Sequence, residues 1–286
     1  MADEYYIYTG GVVPPAVTRV RIDESLTVIP ARAFEGQRII KELDCHIGVK
    51  IVREFAFKQC PSLRRVIMPG VKVVVAGAFW DCKALTDVEC GKLEIIGEHA
   101  FDGCISLRNI NLPSIKIVEG SAFCWCYALT NVNFGDKLEN GWAFFGFRSL
   151  ERITIPLKDG MITHDNIFQG CENLKHVDLV GGVHEIIAAL LLEEWKQDMN
   201  EEIDSINQIL PHTPAGRGDG DVGEKAIVIR TWTRSVLRKL IGYKEQHHRL
   251  LDEAATTLEL ALPKDIVIKN IIPFLKLPSC TFEVEG

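Results

Sequence analysis

The chain has 286 residues, of which 47% are hydrophobic and 25% charged, and its formal net charge is -7. This composition is that of an ordinary soluble protein. The acidic balance argues against a nucleic-acid surface or an anionic membrane as its main partner.

Neither a leader nor a membrane anchor is predicted. Residues 1–4 are acidic, with no apolar segment of a secretory signal behind them. The longest aliphatic run, Ile186 to Leu192, is far shorter than the roughly 20 residues that span a bilayer. We therefore expect no signal peptide, no transmembrane segment, and a cytoplasmic or nuclear location.

Residues 1–28 are interpreted as an N-terminal capping strand region. Val17, Val20 and Ile22 have the same apolar spacing that the following repeats place in their strands. A repeat stack needs a terminal strand of this kind to cap the open edge of its first coil.

Residues 29–182 repeat with a period near 22. An aromatic marker recurs with spacings of 23, 22, 22, 22, 21 and 24, at Phe34, Phe57, Phe79, Phe101, Phe123, Phe144 and Phe168. The surrounding template is A-F-x-x-C-x-x-L-x-x-V-x-L, with Gln37 and Phe147 replacing Cys in the first and sixth copies. A fixed period of this length with apolar residues at set offsets predicts a leucine-rich repeat solenoid of about seven repeats.

Within each repeat, the segment L-x-x-V-x-L alternates as a half-buried strand does. A second short strand is predicted five residues before the Phe, at Ile29, Val52, Val74, Ile96 and Val118. The A-F-x-x-C element between the two strands is expected to be helical or turn-like.

The repeat resembles the BspA-like leucine-rich repeat family, whose unit is A-F-x-x-C-x-x-L-x-x-V-x-L-P. The resemblance covers about Val17 to Leu179 and is clearest from Cys104 to Pro113. It implies a stack of coils that share one core and bind partners on a long surface, and some relatives are surface adhesins.

The chain has nine cysteines. Those in the repeat column are one repeat apart, so they do not form a zinc knuckle, and parallel side chains are poor disulfide partners. We expect buried free thiols and no bound metal. In the close pair Cys124 and Cys126, one sulfur is expected in the core and the other on the outer side of the coil.

Residues 183–262 follow helical spacing and predict an α-helical hairpin with a flexible loop at about 211–223 and a C-terminal tail at 263–286. The fold class is therefore α+β, a solenoid plus a helical hairpin. Antiparallel pairing is expected to place Glu202 near Arg234, and Asp198 near Arg238.

Two arrangements of the hairpin stay open. It either caps the C-terminal end of the solenoid or projects as a coiled-coil arm. Six residues have the spacing of a coiled-coil seam: Val236, Leu240, Tyr243, His247, Leu250 and Ala254. Tyr, His and Ala make a weak zipper, so we expect a monomer, with weak dimerisation through the hairpin as the alternative.

The candidate binding surface is the inner strand face, formed by the two positions that flank the Val column. One column contains Arg65, Asp87, Asn109, Asn131, Arg152 and His176. The other contains Ile67, Glu89, Asn111, Asn133, Thr154 and Asp178. The four Asn residues either bind a partner or form a hydrogen-bonded ladder that stabilises the stack, and the sequence leaves both open.

Common catalytic and phosphate-binding motifs do not occur. Asp219 and Asp221 begin a calcium-loop pattern, but Arg230 stands where its final Glu is required. The tripeptide Arg217-Gly218-Asp219 is that of integrin ligands and is interpreted as a chance string. We predict no cofactor and a non-enzymatic protein-interaction module whose protein partner is unidentified. The alternative is a cell-surface adhesin exported by an unconventional route.

Overall fold

The structure, a computed structural model, describes residues 5–138, 140–141, 147–162, 164–216, 221 and 223–278. Phe144 and the Arg217-Gly218-Asp219 tripeptide lie outside these residues. Within them the predicted fold class is confirmed: coils of about 22 residues stack into a solenoid, and helices follow it.

The longer strands of the coils carry the L-x-x-V-x-L segment and pair in parallel. Five of them form one sheet: β1 (Tyr6–Tyr8), β2 (Arg19–Ile22), β4 (Glu42–Asp44), β6 (Arg65–Ile67) and β8 (Asp87–Glu89). Four others form a second sheet: β10 (Asn109–Leu112), β12 (Asn131–Phe134), β14 (Arg152–Pro156) and β15 (His176–Val180). Their Val-column residues point into the core, so the flanking residues face solvent.

The predicted second strand of each repeat is also present, and it forms a continuous six-stranded sheet on another side of the coils. Its members are β3 (Val28–Ile29), β5 (Ile51–Val52), β7 (Val73–Val74), β9 (Ile95–Ile96), β11 (Ile117–Val118) and β13 (Asn140–Gly141). We call it the rear sheet.

The A-F-x-x-C element is a turn, stabilised by hydrogen bonds to the next coil. In four successive coils the Phe N–H donates to the Ala carbonyl one coil later, at 2.7 to 2.8 Å. The donors are Phe34, Phe57, Phe79 and Phe101. The rings of Phe34, Phe57, Phe79, Phe101 and Phe123 stack nearly parallel, with centroids 4.7 to 5.3 Å apart.

This turn requires left-handed backbone on both sides of the Phe. Phe55 and His99 stand two residues before it, with φ of 56° and 54°. Gln59, Asp81 and Trp125 stand two residues after it, with φ of 56°, 61° and 57°. Side-chain-bearing residues adopt this conformation at a cost that the inter-coil hydrogen bonds must offset.

The Cys column has a second role besides filling space. Each thiol donates to the Phe carbonyl of the preceding coil, with Sγ to O distances of 3.0 Å for Cys60 and Cys82, 3.3 Å for Cys104 and 3.2 Å for Cys126. The eight described cysteines are free and buried, as predicted. Cys126 belongs to the core, whereas Cys124 is buried outside the core cluster.

Other aromatic residues extend the Phe stack on both sides. Tyr8, only 1% exposed, packs on Phe34 with ring centroids 4.7 Å apart. On the C-terminal side Phe147 packs on Phe123 at 6.2 Å, although its backbone occupies the Cys position of its coil. A ring entering from the Cys position therefore continues the stack.

The helical region begins with α1 (Val183–Ala188) and α2 (Glu193–Ile209). We expected one uninterrupted helical pattern up to Leu210, but Leu192 is extended, with φ of -103° and ψ of 132°, and separates the two helices. A 3-10 turn, Leu210–His212, ends α2, and α3 (Lys225–Glu259) then runs antiparallel to it. The tail adds α4 (Lys264–Ile266), a π-helical turn (Val267–Ile271) and α5 (Ile272–Leu275).

The predicted ion pairs between the two long helices are wrong. Lys239 is the cation that contacts both Asp198, at 3.0 Å, and Glu202, at 3.1 Å. Arg234 instead contacts Asp159 of the solenoid at 2.8 Å. The reason is rotational: Lys239 faces α2, whereas Arg234 lies on the side of α3 that faces the solenoid.

The helices cover the last coil. The side-chain oxygen of Asn207 on α2 accepts the N–H of Val177, on the open edge of β15, at 2.9 Å. Lys225, only 2% exposed, donates from Nζ to the carbonyls of Leu174 in the last coil and Leu210 after α2. Burial lowers the pKa of Lys225.

The tail returns to the distal part of α3. The buried His247 makes a 2.8 Å hydrogen bond through Nε2 to the carbonyl of Leu275, and Val267 is fully buried. Dimerisation through a coiled-coil seam and the predicted domain boundaries both stay predictions. No helix in the described ranges is long and apolar enough to cross a membrane.

We expect Asn207→Ala to leave the buried Val177 N–H without an acceptor and to lower stability by about 1–3 kcal/mol. Hydrogen exchange of the Val177 amide should accelerate. Asn207→Asp, which keeps an oxygen acceptor, is the control and should protect this amide better than Ala does. Equal protection in both variants would contradict the role of Asn207.

Stability is expected to fall in alkaline solution. Burial raises the pKa of the Cys45, Cys90 and Cys171 thiols to about 12, whereas unfolded thiols ionise near 9. Because the raised values belong to the folded state, their contribution is complete below about pH 9 and is lost as the pH rises towards 12. Each thiol should cost about 1.4 kcal/mol per pH unit in that window.

Urea unfolding under reducing conditions measures this effect at neutral and alkaline pH. Cys90→Ala, with one ionisable thiol fewer, should show a shallower decline than the parent chain. A decline of the same slope would mean that other groups cause the alkaline loss.

Candidate functional site

The residues predicted for the inner strand face form two columns in register. Asn109, Asn131, Arg152 and His176 are directly paired along one column, and Asn111, Asn133, Thr154 and Asp178 along the other. Arg65 aligns with Asp87, and Ile67 with Glu89, on the first sheet. All twelve are exposed or half-buried on the solvent side of the strands.

Sequence reasoning missed the N-terminal end of this face. Arg19 aligns with Glu42, and Arg21 with Asp44, so both columns begin in the capping region. The matching offsets of Val20 and Leu43 could have revealed these positions.

Most charges on the inner strand face are neutralised by a neighbouring coil. Four ion pairs join adjacent strands: Arg19–Glu42 and Arg21–Asp44, both at 2.9 Å, and Arg65–Glu89 and Arg152–Asp178, both at 2.6 Å. Exposed pairs of this kind contribute little stability, about 0–1 kcal/mol each. Their main effect is to hold long side chains in fixed positions along the face.

The Asn residues form two short ladders. Nδ2 of Asn131 donates to Oδ1 of Asn109 at 3.2 Å, and Nδ2 of Asn133 donates to Oδ1 of Asn111 at 3.1 Å. The ladder alternative is therefore present in the structure. The ladders leave the Nδ2 groups of Asn109 and Asn111 available as donors, because neither makes a hydrogen bond within the described residues.

The strand ladder is interrupted between β8 and β10. At the other junctions the residue before a strand donates to its counterpart one coil back, as in Arg64 to Lys41, Thr86 to Arg64 and Thr130 to Arg108. Across the described residues of this junction, the equivalent bond from Arg108 to Thr86 is missing, and β8 and β10 belong to different sheets. We call this place the sheet break.

A groove lies at the sheet break. Its volume is about 630 Å³, and it is lined by Arg65, Thr86, Asp87, Val88, Glu89, Asn109, Ile110, Asn111, Asn131 and Asn133. A second hollow of about 580 Å³ shares Val88, Glu89 and Asn111 with it and continues towards Gly91 and Lys92. Each volume is within the range of ligand pockets, roughly 300–1,000 Å³.

Seven of the predicted site residues therefore line one groove. Val88 in its floor is half-buried, unlike the fully buried Val66 one coil earlier. Among the described residues Asp87 has no ion-pair partner; its carboxylate accepts a hydrogen bond from the Thr86 hydroxyl at 2.9 Å. The other predicted residues, including Arg152, Thr154, His176 and Asp178, lie further along the same face.

A second exposed cluster was not predicted from the sequence. Trp80 lies between Phe55 and His99, with ring centroids 6.3 and 6.0 Å away, and the Lys58 ammonium stands 4.9 Å from its ring centre. These aromatic and cationic groups contact one another along successive coils. Two members of the cluster, Phe55 and His99, occupy left-handed positions of the turn.

Comparison with known families settles the class of the chain. The family described as BspA type leucine rich repeat region matches residues 15–129 and 94–191 in six copies. The chain belongs to this family. Solenoids of this family are typically non-enzymatic and serve protein–protein interaction or adhesion. No curated protein matches the chain.

Three solved bacterial proteins are among those that are similar to this chain. A leucine-rich repeat protein of T. pallidum is 25% identical, over 54% of this chain and 77% of that one, with a TM-score of 0.47. The pneumococcal vaccine antigen PcpA is 14% identical, over 63% and 67% of the two chains, with a TM-score of 0.35. A leucine-rich cell surface protein of Faecalibacterium prausnitzii is 16% identical, over 58% and 79%, with a TM-score of 0.23.

A double-mutant cycle of Asn111→Ala and Asn133→Ala should measure a coupling energy below about 1 kcal/mol, because exposed hydrogen bonds exchange readily with water. Urea unfolding of the parent, both single variants and the double variant provides the four values. A coupling above about 2 kcal/mol would assign these residues mainly to stability of the stack.

Proposed function

We propose that the chain is a non-enzymatic interaction module whose inner strand face binds a protein partner. The observation that carries this proposal is the groove at the sheet break, which interrupts an otherwise regular face. Exposed side chains in fixed register surround it, and ion pairs between coils hold several of them in place. These features favour recognition over a surface that merely covers the core.

The helical region has a different role in this proposal. Asn207 and Lys225 bond to the last coil, so the hairpin serves first as a cap that protects the C-terminal edge of the solenoid. A second binding function for the hairpin is not needed to explain these contacts. The partner is expected to contact the strand face rather than the cap.

The test is a quantitative capture of partners from native lysate with three baits. The first is the parent chain. The second exchanges both members of two inner-face ion pairs: Arg65→Glu with Glu89→Arg, and Arg152→Asp with Asp178→Arg. These exchanges reverse the local charges but keep each intramolecular pair and the net charge.

The third bait exchanges an exposed pair on α2, Glu193→Lys with Lys196→Glu, whose side chains are 3.1 Å apart in the parent chain. Partners should be captured equally by the parent and this control. The inner-face bait should lose at least about tenfold in capture, because like charges then oppose across the interface. Equal capture by all three baits would remove the inner strand face from the proposed function.

A further inference from the structure

Resting on the proposed function, we propose that the groove at the sheet break binds an extended peptide segment of the partner and that Asp87 binds a Lys or Arg side chain of that segment.

Backbone groups at the sheet break are left without their usual partners. In a regular coil the carbonyl of Thr86 would accept the N–H of Arg108, as Arg64 accepts Thr86 at 2.9 Å. Within the described part of this junction neither group has that bond. Both residues are exposed, so a ligand that carries amide donors and acceptors can reach these two backbone groups and bond to them.

The side chains on the two walls are complementary to a peptide group. On the β10 side, Nδ2 of Asn109 and Nδ2 of Asn111 remain as donors, because their oxygens already accept from the next coil. On the β8 side, the Asp87 carboxylate is an acceptor. An extended peptide presents carbonyls and N–H groups on opposite edges, so one chain can satisfy both walls at once.

The charges select a basic side chain. The Glu89 carboxylate forms an ion pair with Arg65 at 2.6 Å, so it is not available as a separate partner for the ligand. Asp87 lies on the same wall and forms no ion pair among the described residues. Its strand neighbour Arg65 interacts with it electrostatically but bonds to Glu89, and no other Lys or Arg lines this groove. A ligand ammonium or guanidinium would therefore form a charge-assisted hydrogen bond with Asp87.

The floor of the groove suits the neighbouring side chains of such a segment. Val88 is half-buried and Ile110 is 3% exposed. Side chains of an extended chain alternate in direction, so an apolar residue beside the basic one can contact this floor. The occupant is thus an extended stretch that combines a basic residue with small apolar or β-branched residues.

The experiment titrates the complete chain with a short, acetylated and amidated peptide of Ser, Thr and Val that has one central Lys. Binding is measured by fluorescence anisotropy. Side-chain amide signals of Asn109 and Asn111 and the Arg108 N–H are followed by NMR. The comparison peptide replaces the central Lys with Glu, and a third peptide is N-methylated at the residues that flank the Lys.

The Lys peptide should bind at least about tenfold more tightly than either comparison peptide, because a charge-assisted bond and the backbone donors are lost in them. Asp87→Asn should remove the preference for Lys over Glu. Glu193→Gln, which alters an exposed carboxylate on α2 away from the inner strand face, should leave that preference unchanged.

Absence of binding by the Lys peptide, equal affinity for the Glu peptide, or an unaltered preference in Asp87→Asn would each overturn the inference. These outcomes are separable from failure of the proposed function. If the ion-pair exchanges abolish partner capture but the peptides do not bind, the inner strand face keeps its function and only the groove is excluded. If the Lys peptide binds but all three baits capture partners equally, the groove remains a peptide-binding site and the main partner binds elsewhere on the chain.

Discussion

The hydrogen bond from the Phe N–H to the Ala carbonyl of the next coil, present in four successive coils, is the constraint on which the rest of the structure depends. It fixes the distance between coils and brings the Phe rings into a stack with spacings of 4.7 to 5.3 Å. The thiol of each Cys then reaches back to the Phe carbonyl one coil earlier. One coil cannot make these bonds alone, so stability arises from neighbours.

The same constraint permits the sheet break. Beside it the rear sheet is intact, since β9 pairs with β11, and the rings of Phe79 and Phe101 remain stacked at 5.2 Å. The core is therefore held on two sides while the strand side opens. A missing strand pairing that would unfold an isolated sheet is tolerated here, because the rear sheet and the Phe stack still hold the two coils together.

The 22-residue period was sufficient to predict the solenoid, both strands of the coil and the two exposed columns, because burial on one face imposes strict alternation. It gave no sign of the sheet break, since Val88 and Ile110 occupy ordinary apolar positions. Left-handed residues such as Phe55 and His99 were equally hidden, because they are not glycine. The Arg234 and Arg238 pairings failed because exposed charges depend on helix rotation, which spacing alone does not determine.

The contrast between a continuous rear sheet and an interrupted strand face has a mechanical consequence. Among the described strands of this face the ladder is broken only between β8 and β10, so the strand side resists bending least there and the rear sheet can act as the hinge line. Small changes in curvature can then occur at one junction without disturbing the Phe stack. A molecule seated between these coils would act as a wedge and change the curvature at this junction.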